Sequence, residues 1–93
     1  MLKLLVTYKA KDAETRQAFY DEITAAGIPE ASRAEEGNHC YDYFFSMDRD
    51  NEILLVEKWE DKEAQKLHST LPHFKKVGEL KEKYGIESLF EEL

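Results

Sequence analysis

Two kinds of apolar periodicity alternate along this chain, in an order that few folds accommodate. The runs from Leu2 to Tyr8 and from His39 to Met47 alternate every two residues, and a third apolar run extends from Glu52 to Glu60. Such runs are typical of β-strands, because successive side chains point to opposite faces of a sheet. Elsewhere, apolar residues recur every three or four positions, which predicts helices. A further strand is predicted from Ile86 to Leu93, so the order of elements is β-α-β-β-α-β.

Residues that start and stop helices support the first half of this order. Asp12 stands where an N-cap is expected, and Gly27 is typical of a helix end. Proline is accepted in the first helical turn, so Pro29 predicts a short additional helix that ends before Gly37. The polar residues 48–51 then predict a turn that joins the second and third strands into a hairpin.

The second half of the chain has matching signals. Asp61 predicts the N-terminus of a helix that Pro72 interrupts, because proline is not tolerated in a helix interior. Pro72 can itself begin another helix, whose apolar positions recur until Gly85. The second helix of the predicted order is therefore expected in two pieces.

The predicted order is that of the ferredoxin-like βαββαβ arrangement, an α+β fold with an antiparallel sheet. Helices on one side cover one face of such a sheet, yet the first three strands have large apolar residues on both faces. A second sheet packed against the uncovered face would bury these residues, and a two-fold dimer is the simplest way to supply it. We expect a single domain over residues 1–93 that forms a homodimer.

Charge and composition exclude several classes of protein. Thirteen Lys and Arg residues against twenty Asp and Glu residues give a net charge of −7, which disfavours nucleic acid and anionic membranes as partners. The single cysteine cannot form an internal disulfide, and no apolar run approaches the roughly 18 residues of a membrane span. Because the first nine residues do not resemble a signal peptide, we expect a cytoplasmic protein.

The sequence contains no nucleotide-binding loop and no nucleophile elbow, so any chemistry must rely on acid–base residues. His68 follows Ala64 and Leu67 on the apolar side of its helix and is the candidate general base, although a core histidine has the same pattern. His73 follows Pro72 at a helix start and is a candidate donor or a solvent-exposed residue. The two histidines do not share one helix face, so we expect no metal site.

Aromatic side chains on the strands are candidates for a substrate pocket. A planar ligand would stack on such residues, although packing in a core or an interface explains them equally well. The candidates are Tyr8, Tyr43, Phe45 and Trp59.

Two segments resemble a known family. Residues 56–76, V-E-K-W-E-D-K-E-A-Q-K-L-H-S-T-L-P-H-F-K-K, and residues 35–44, E-E-G-N-H-C-Y-D-Y-F, are similar to the antibiotic biosynthesis monooxygenase superfamily of dimeric α/β-barrel proteins. Members of the superfamily include cofactor-independent monooxygenases of quinols or polyketides, haem-degrading monooxygenases, and a cytoplasmic isomerase of phosphorylated autoinducer-2. Residues 68–75 resemble the isomerase and the quinol monooxygenases most.

The resemblance also bears on individual residues. It implies that Asn38, after Gly37, lies near the mouth of a cavity where its amide could bind a substrate oxygen; a turn asparagine is the alternative. It implies a structural hydrogen bond or an ion pair at the dimer interface for Glu57, which shares an apolar strand face with Trp59 and needs a partner there. The haem-degrading branch is disfavoured, because Gly78 stands where that branch has its iron ligand.

Three hypotheses about function follow. The first is a cofactor-free monooxygenase that oxidises a small aromatic quinol or phenol with O₂, with His68 as base and with Asn38 or His73 binding the developing oxyanion. The second is an isomerase of a small phosphorylated carbonyl compound, in which Arg33 or the helix start near Pro72 would bind phosphate. The third is a dimeric module that binds an aromatic metabolite without catalysis.

Overall fold

The computed structural model describes residues 1–93 and confirms the predicted α+β, ferredoxin-like fold. Its four strands form one antiparallel sheet with the order β2-β3-β1-β4. No helix has both the length and the apolar character that crossing a membrane requires. The elements in chain order are β1 (Leu2–Lys9), α1 (Ala13–Ala25), α2 (Ile28–Arg33), β2 (Asn38–Phe45), β3 (Glu52–Trp59), α3 (Lys62–His68), α4 (Pro72–Tyr84) and β4 (Glu87–Glu92).

The helices begin where the sequence predicts. The Asp12 carboxylate accepts a hydrogen bond from the Thr15 amide at 2.8 Å, and the Asp61 carboxylate accepts one from the Ala64 amide at 2.9 Å. Each bond satisfies a backbone donor that the first turn of a helix leaves free. Gly27 lies one residue beyond the C-cap of α1, at a left-handed φ of 69°, and begins α2. The predicted break after the first helix is therefore present.

The hydrophobic core lies between the sheet and the helices. Alternate residues of the strands point toward the helices, and Phe19 and Ile23 of α1 are completely buried against them. Val77 and Leu80 of α4 close the same core. The strand residues in it are Leu4, Val6, Tyr8, Tyr41, Ile53, Leu55 and Trp59.

The opposite face of the sheet is open, and it is also apolar. In register across the strands lie Leu89, Thr7, Leu54 and Phe44, and beside them the pair Leu5 and Val56. Phe44 and Leu89 are 52% and 56% exposed, and β4 is exposed along its whole length. No helix covers this surface, which we call the open face.

Candidate active site

Three ionisable side chains from separate elements converge beside the covered face of the sheet. Glu35 lies in the turn after α2, His68 is the last residue of α3, and His73 is in the first turn of α4. Glu35 Oε2 lies 2.5 Å from His68 Nδ1 and 2.6 Å from His73 Nε2. The side chains of His68, Glu35 and His73 are 3%, 10% and 18% exposed. We call this group the Glu–His–His cluster.

The turn between α3 and α4 brings the two histidines together. The Leu71 amide donates to the His68 carbonyl at 3.1 Å, which closes a turn at the end of α3. Pro72 then begins α4, because proline at the first helical position loses no helical hydrogen bond. The two imidazole rings end 5.6 Å apart between centroids. The two histidines do not share one helix face, as expected, but the turn between α3 and α4 brings their rings together.

Gly37 lets the turn that contains Glu35 approach α3. Its φ is 86°, a left-handed value that favours glycine. A Cβ atom at this position would lie 2.8 Å from the Cβ of Ala64 in α3, which is a steric clash. The close contact between Gly37 and Ala64 therefore positions Glu35 beside His68.

The shared carboxylate oxygen determines which ring nitrogens have protons. An ionised carboxylate only accepts hydrogen bonds, so His68 Nδ1–H and His73 Nε2–H must both donate to Glu35. In neutral imidazoles, the other nitrogens, His68 Nε2 and His73 Nδ1, then have free lone pairs. The cluster thus presents His68 Nε2 as a base whose ring is oriented by a carboxylate.

Aromatic side chains enclose the His68 ring. The ring of Trp59 lies 4.7 Å from it, that of Phe74 5.3 Å and that of Tyr41 5.8 Å, all between centroids. Phe74 is 42% exposed whereas His68 is buried, so Phe74 covers the histidine toward solvent. An imidazole held on three sides by rings keeps one orientation.

Glu57 is a buried carboxylate near this cluster. Its Oε1 accepts a hydrogen bond from Trp59 Nε1 at 3.0 Å, and burial raises the pKa of its carboxyl. The structure places Glu57 on the helix-covered face, among buried residues, and away from the open face where we expected a dimer interface. Its hydrogen-bond partner is therefore Trp59 of its own strand.

Buried tyrosines extend the polar network away from His68. The hydroxyls of Tyr41 and Tyr43 lie 3.2 Å apart, and the Tyr43 ring stacks on Tyr8 with centroids 6.5 Å apart. Burial raises the pKa of Tyr41 to about 12 and raises the pKa values of Tyr8 and Tyr43 above their usual value. All three are neutral hydrogen-bonding groups across the physiological range.

Three predicted candidates take part in other contacts. Asn38 is the first residue of β2, where its side-chain amide donates to the Cys40 carbonyl at 3.1 Å beside a bulge in the pairing with β3. Phe45 packs under Arg16, whose guanidinium carbon lies 4.1 Å from the ring centroid. Arg33 donates from Nε to the Tyr41 carbonyl at 3.0 Å, so its guanidinium is already engaged at the edge of β2.

The expected substrate pocket is not among the five main cavities. The largest of these, about 590 Å³, lies between the start of α1 and the end of α4 and is lined by residues such as Lys11 and Lys83. None of the five is lined by Glu35, His68 or His73. Beside His68, the space is filled by Trp59 and Phe74.

Glu35 is the residue that sequence reasoning missed. It is 33 positions from His68 and lies in a turn, where no periodicity indicates which way a side chain points. The available signal was its place in the E-E-G-N segment, where a glycine follows two carboxylates. That signal marks a tight turn, but it does not identify the histidines that the turn meets.

Comparison with known proteins establishes the family. The family model described as antibiotic biosynthesis monooxygenase matches residues 1–80. The chain belongs to this family. A Bacillus subtilis (strain 168) protein named "Putative monooxygenase YcnE" is 38% identical over 71 residues, which cover 76% of this chain and 73% of that protein.

Two solved structures share the fold of this chain. A Deinococcus radiodurans protein described as a "putative antibiotic biosynthesis monooxygenase" has a TM-score of 0.87 at 19% identity, covering 100% of this chain and 90% of that one. The structure of PA3566 from Pseudomonas aeruginosa has a TM-score of 0.81 at 21% identity, covering 99% and 91%. The predicted family resemblance is therefore confirmed, and so is its α+β fold.

Proposed function

We propose that this protein is a cofactor-independent monooxygenase that oxidises a small electron-rich phenol or quinol with O₂, and that His68 is its general base. The observation that carries the proposal is the hydrogen bond from His68 Nδ1 to Glu35, which leaves Nε2 free to accept a proton. The family description and the 38% identical relative named as a putative monooxygenase support an oxygenase.

The proposed reaction begins with transfer of the phenolic proton to His68 Nε2. The phenolate then gives one electron to O₂, and the resulting radicals join to form a carbon–oxygen bond at the ring. His68 returns its proton to the peroxide. Loss of the ring hydrogen as a proton and cleavage of the O–O bond release water and leave a quinone. One phenol and one O₂ thus give one quinone and one water, without flavin, haem or metal.

Glu35 and His73 support the base in this proposal. The Glu35 carboxylate holds the His68 ring in one tautomer and stabilises the imidazolium that forms when Nε2 accepts a proton. His73 donates to the same oxygen and so restrains Glu35. Both are positioning residues, whereas His68 contacts the substrate.

The aromatic residues around His68 favour an aromatic substrate. A planar ring that reaches His68 Nε2 must displace Phe74, which is the exposed member of the enclosure. It would then pack beside Trp59 and Tyr41, whose rings favour offset-stacked or edge-on contacts with another aromatic ring. Exclusion of water by these walls would limit side reactions of the radical pair.

Oxygen consumption with freshly reduced quinols and no added cofactor tests the proposal. Wild-type protein, His68→Gln and the control His39→Gln are compared after subtraction of spontaneous autoxidation. His39 is matched because it also contacts a carboxylate, Glu60 Oε2 at 2.5 Å, but on the surface. We expect His68→Gln to lose about 10²–10⁴-fold in rate, the usual contribution of a general base, and His39→Gln to keep the wild-type rate. Equal rates for wild type and His68→Gln would refute the assignment of the base.

We also propose that the open face is the interface of a homodimer. Proteins of this family are often dimeric. The open face presents one uncharged row across all four strands and the apolar pair Leu5 and Val56 beside it, and exposed apolar surfaces of this kind mark interaction sites. Packing two such faces together buries these apolar side chains between the two sheets.

A further inference from the structure

The Glu–His–His cluster can bind a ligand other than a proton. We propose that Glu35, His68 and His73 form a binding site for a divalent first-row transition-metal ion such as Zn²⁺, through Glu35 Oε2, His68 Nδ1 and His73 Nε2. The proposal goes beyond the proposed function and does not depend on it. It requires only that these three atoms bind an ion in place of the two protons that they share.

The donor atoms have the identity and spacing that such an ion needs. All three lie within 4.8 Å of one another, and two imidazoles with one carboxylate are a recurrent ligand set for Zn²⁺ and Fe²⁺. Metal–ligand bonds of about 2.0–2.2 Å place neighbouring donor atoms about 3.0–3.5 Å apart. The two nitrogen–oxygen distances, 2.5 and 2.6 Å, must therefore widen by about 0.4–1.0 Å. Small side-chain rotations achieve this.

The surroundings of the cluster fix the ligands in advance. Trp59, Tyr41 and Phe74 hold the His68 ring, and the contact of Gly37 with Ala64 holds the turn that contains Glu35. Ligands that are already oriented lose little conformational freedom on binding a metal. Three protein ligands also leave at least one coordination position for water or another small molecule.

The charge balance favours a cation at this place. With neutral imidazoles, the cluster has the single negative charge of Glu35, in surroundings that are largely shielded from water. The chain as a whole has a net charge of −7, which attracts cations. Binding a divalent ion moves the two shared protons to His68 Nε2 and His73 Nδ1, and the Glu35 carboxylate then neutralises one of the ion's two positive charges.

Metal binding and the proposed base chemistry exclude each other. A metal ion on His68 Nδ1 displaces the proton from that nitrogen, and the neutral ring then has its proton on Nε2. The nitrogen that would accept the substrate proton becomes a hydrogen-bond donor. Zn²⁺ is therefore expected to inhibit any oxidation that uses His68 as its base.

Metal content is measured on the full chain, stripped with a chelator and dialysed first against Zn²⁺ and then against metal-free buffer. We expect one Zn²⁺ per chain in wild-type protein and in the control His39→Gln. We expect Glu35→Gln and His73→Gln to bind at least about tenfold more weakly, since even the loss of an outer-shell partner costs that much. The control retains the complete cluster and loses only the exposed contact with Glu60.

A measurement on wild-type protein alone guards against variants that fold poorly. In a Zn²⁺ titration followed by nuclear magnetic resonance, the imidazole signals of His68 and His73 should shift together while those of His39 stay unchanged. A wild-type protein that retains no Zn²⁺, or whose His68 and His73 signals do not move, overturns the proposal. Retention of wild-type affinity by a folded His73→Gln variant overturns it too. Because no readout uses oxygen consumption, these outcomes are independent of the monooxygenase test.

Discussion

The two faces of the single sheet are built from the same alternating strands and differ in what covers them. On the covered face, Leu4, Leu55 and Trp59 are almost completely buried, and α3 and α4 place His68 and His73 in this apolar surrounding. On the open face, Phe44 and Leu89 lie in equally apolar rows without a helix above them. The helices therefore deliver the two histidines of the proposed site, whereas the open face offers a surface for the proposed association.

The comparison predicts the largest effect for the hydrogen bond that organises the covered face. Glu35→Gln keeps the size of the side chain but removes the charge that stabilises a protonated His68. We expect kcat for quinol oxidation to fall by about 10²-fold or more with little change in KM, because the proposed mechanism gives Glu35 no contact with the substrate. Steady-state oxygen consumption measures both constants.

A substitution on the other face provides the control for that prediction. Phe44→Leu lies on the open face and should leave kcat unchanged. A Glu35→Gln variant with wild-type kcat, or one in which KM alone rises, would show that Glu35 does not position the base. Restoration of activity by Glu35→Asp would support the need for a carboxylate at this place.

The open face should control assembly and nothing else. Leu54→Lys places a charge in the centre of the apolar rows, between Thr7 and Phe44, and a two-fold interface contains this change twice. We expect a loss of about 2 kcal/mol or more of association free energy, the scale of an interface hot spot, and a monomer in sedimentation velocity. Leu67→Lys is the matched control, because Leu67 is 59% exposed on α3. A Leu54→Lys protein that remains dimeric places the interface elsewhere.

The sequence predicted the covered face well where local chemistry determines the structure. Asp12 and Asp61 identify helix starts because a carboxylate cap acts within three residues. Helical spacing likewise indicated that His68 turns toward the sheet. The same pattern placed Leu67 on the buried side and was wrong, because adjacent helical residues point about 100° apart and α3 is too short to bury both.

The sequence could not predict the partners of His68. Glu35 reaches it through the docking of Gly37 on Ala64, a tertiary contact without a periodic signal. His73 reaches it because the turn after α3 reverses the chain before Pro72. The length and direction of such turns depend on how the helices pack, so the cluster becomes visible only in three dimensions.

Alkaline pH provides a second way to weaken the covered face selectively. Burial raises the pKa of Tyr41 to about 12, so the folded protein keeps a proton that the unfolded chain loses near its ordinary value of about 10. The contribution of Tyr41 to stability is present below about pH 10 and is lost as pH rises to about 12, about 2–3 kcal/mol in all. Urea unfolding measures the free energy of unfolding across this pH range. In Tyr41→Phe this free energy should fall less than in the wild type, whereas in Phe44→Leu, on the open face, it should fall as much as in the wild type. Equal losses in Tyr41→Phe and wild type would contradict the burial of this hydroxyl.

The smallest expected effect concerns the buried carboxylate of Glu57. Because burial raises its pKa, the folded protein binds a proton more tightly than the unfolded chain, and stability falls as pH rises through the raised value. Glu57→Gln has no charge to bury, and its amide oxygen can still accept from Trp59 Nε1. We expect a gain of about 1 kcal/mol or less in the free energy of unfolding at neutral pH, because the weaker hydrogen bond of a neutral acceptor offsets part of the benefit. The difference from the wild type should vanish toward acid pH, where both side chains are neutral. Urea unfolding at several pH values measures it, and a variant less stable than the wild type at neutral pH would mean that the ionised carboxylate stabilises the covered face.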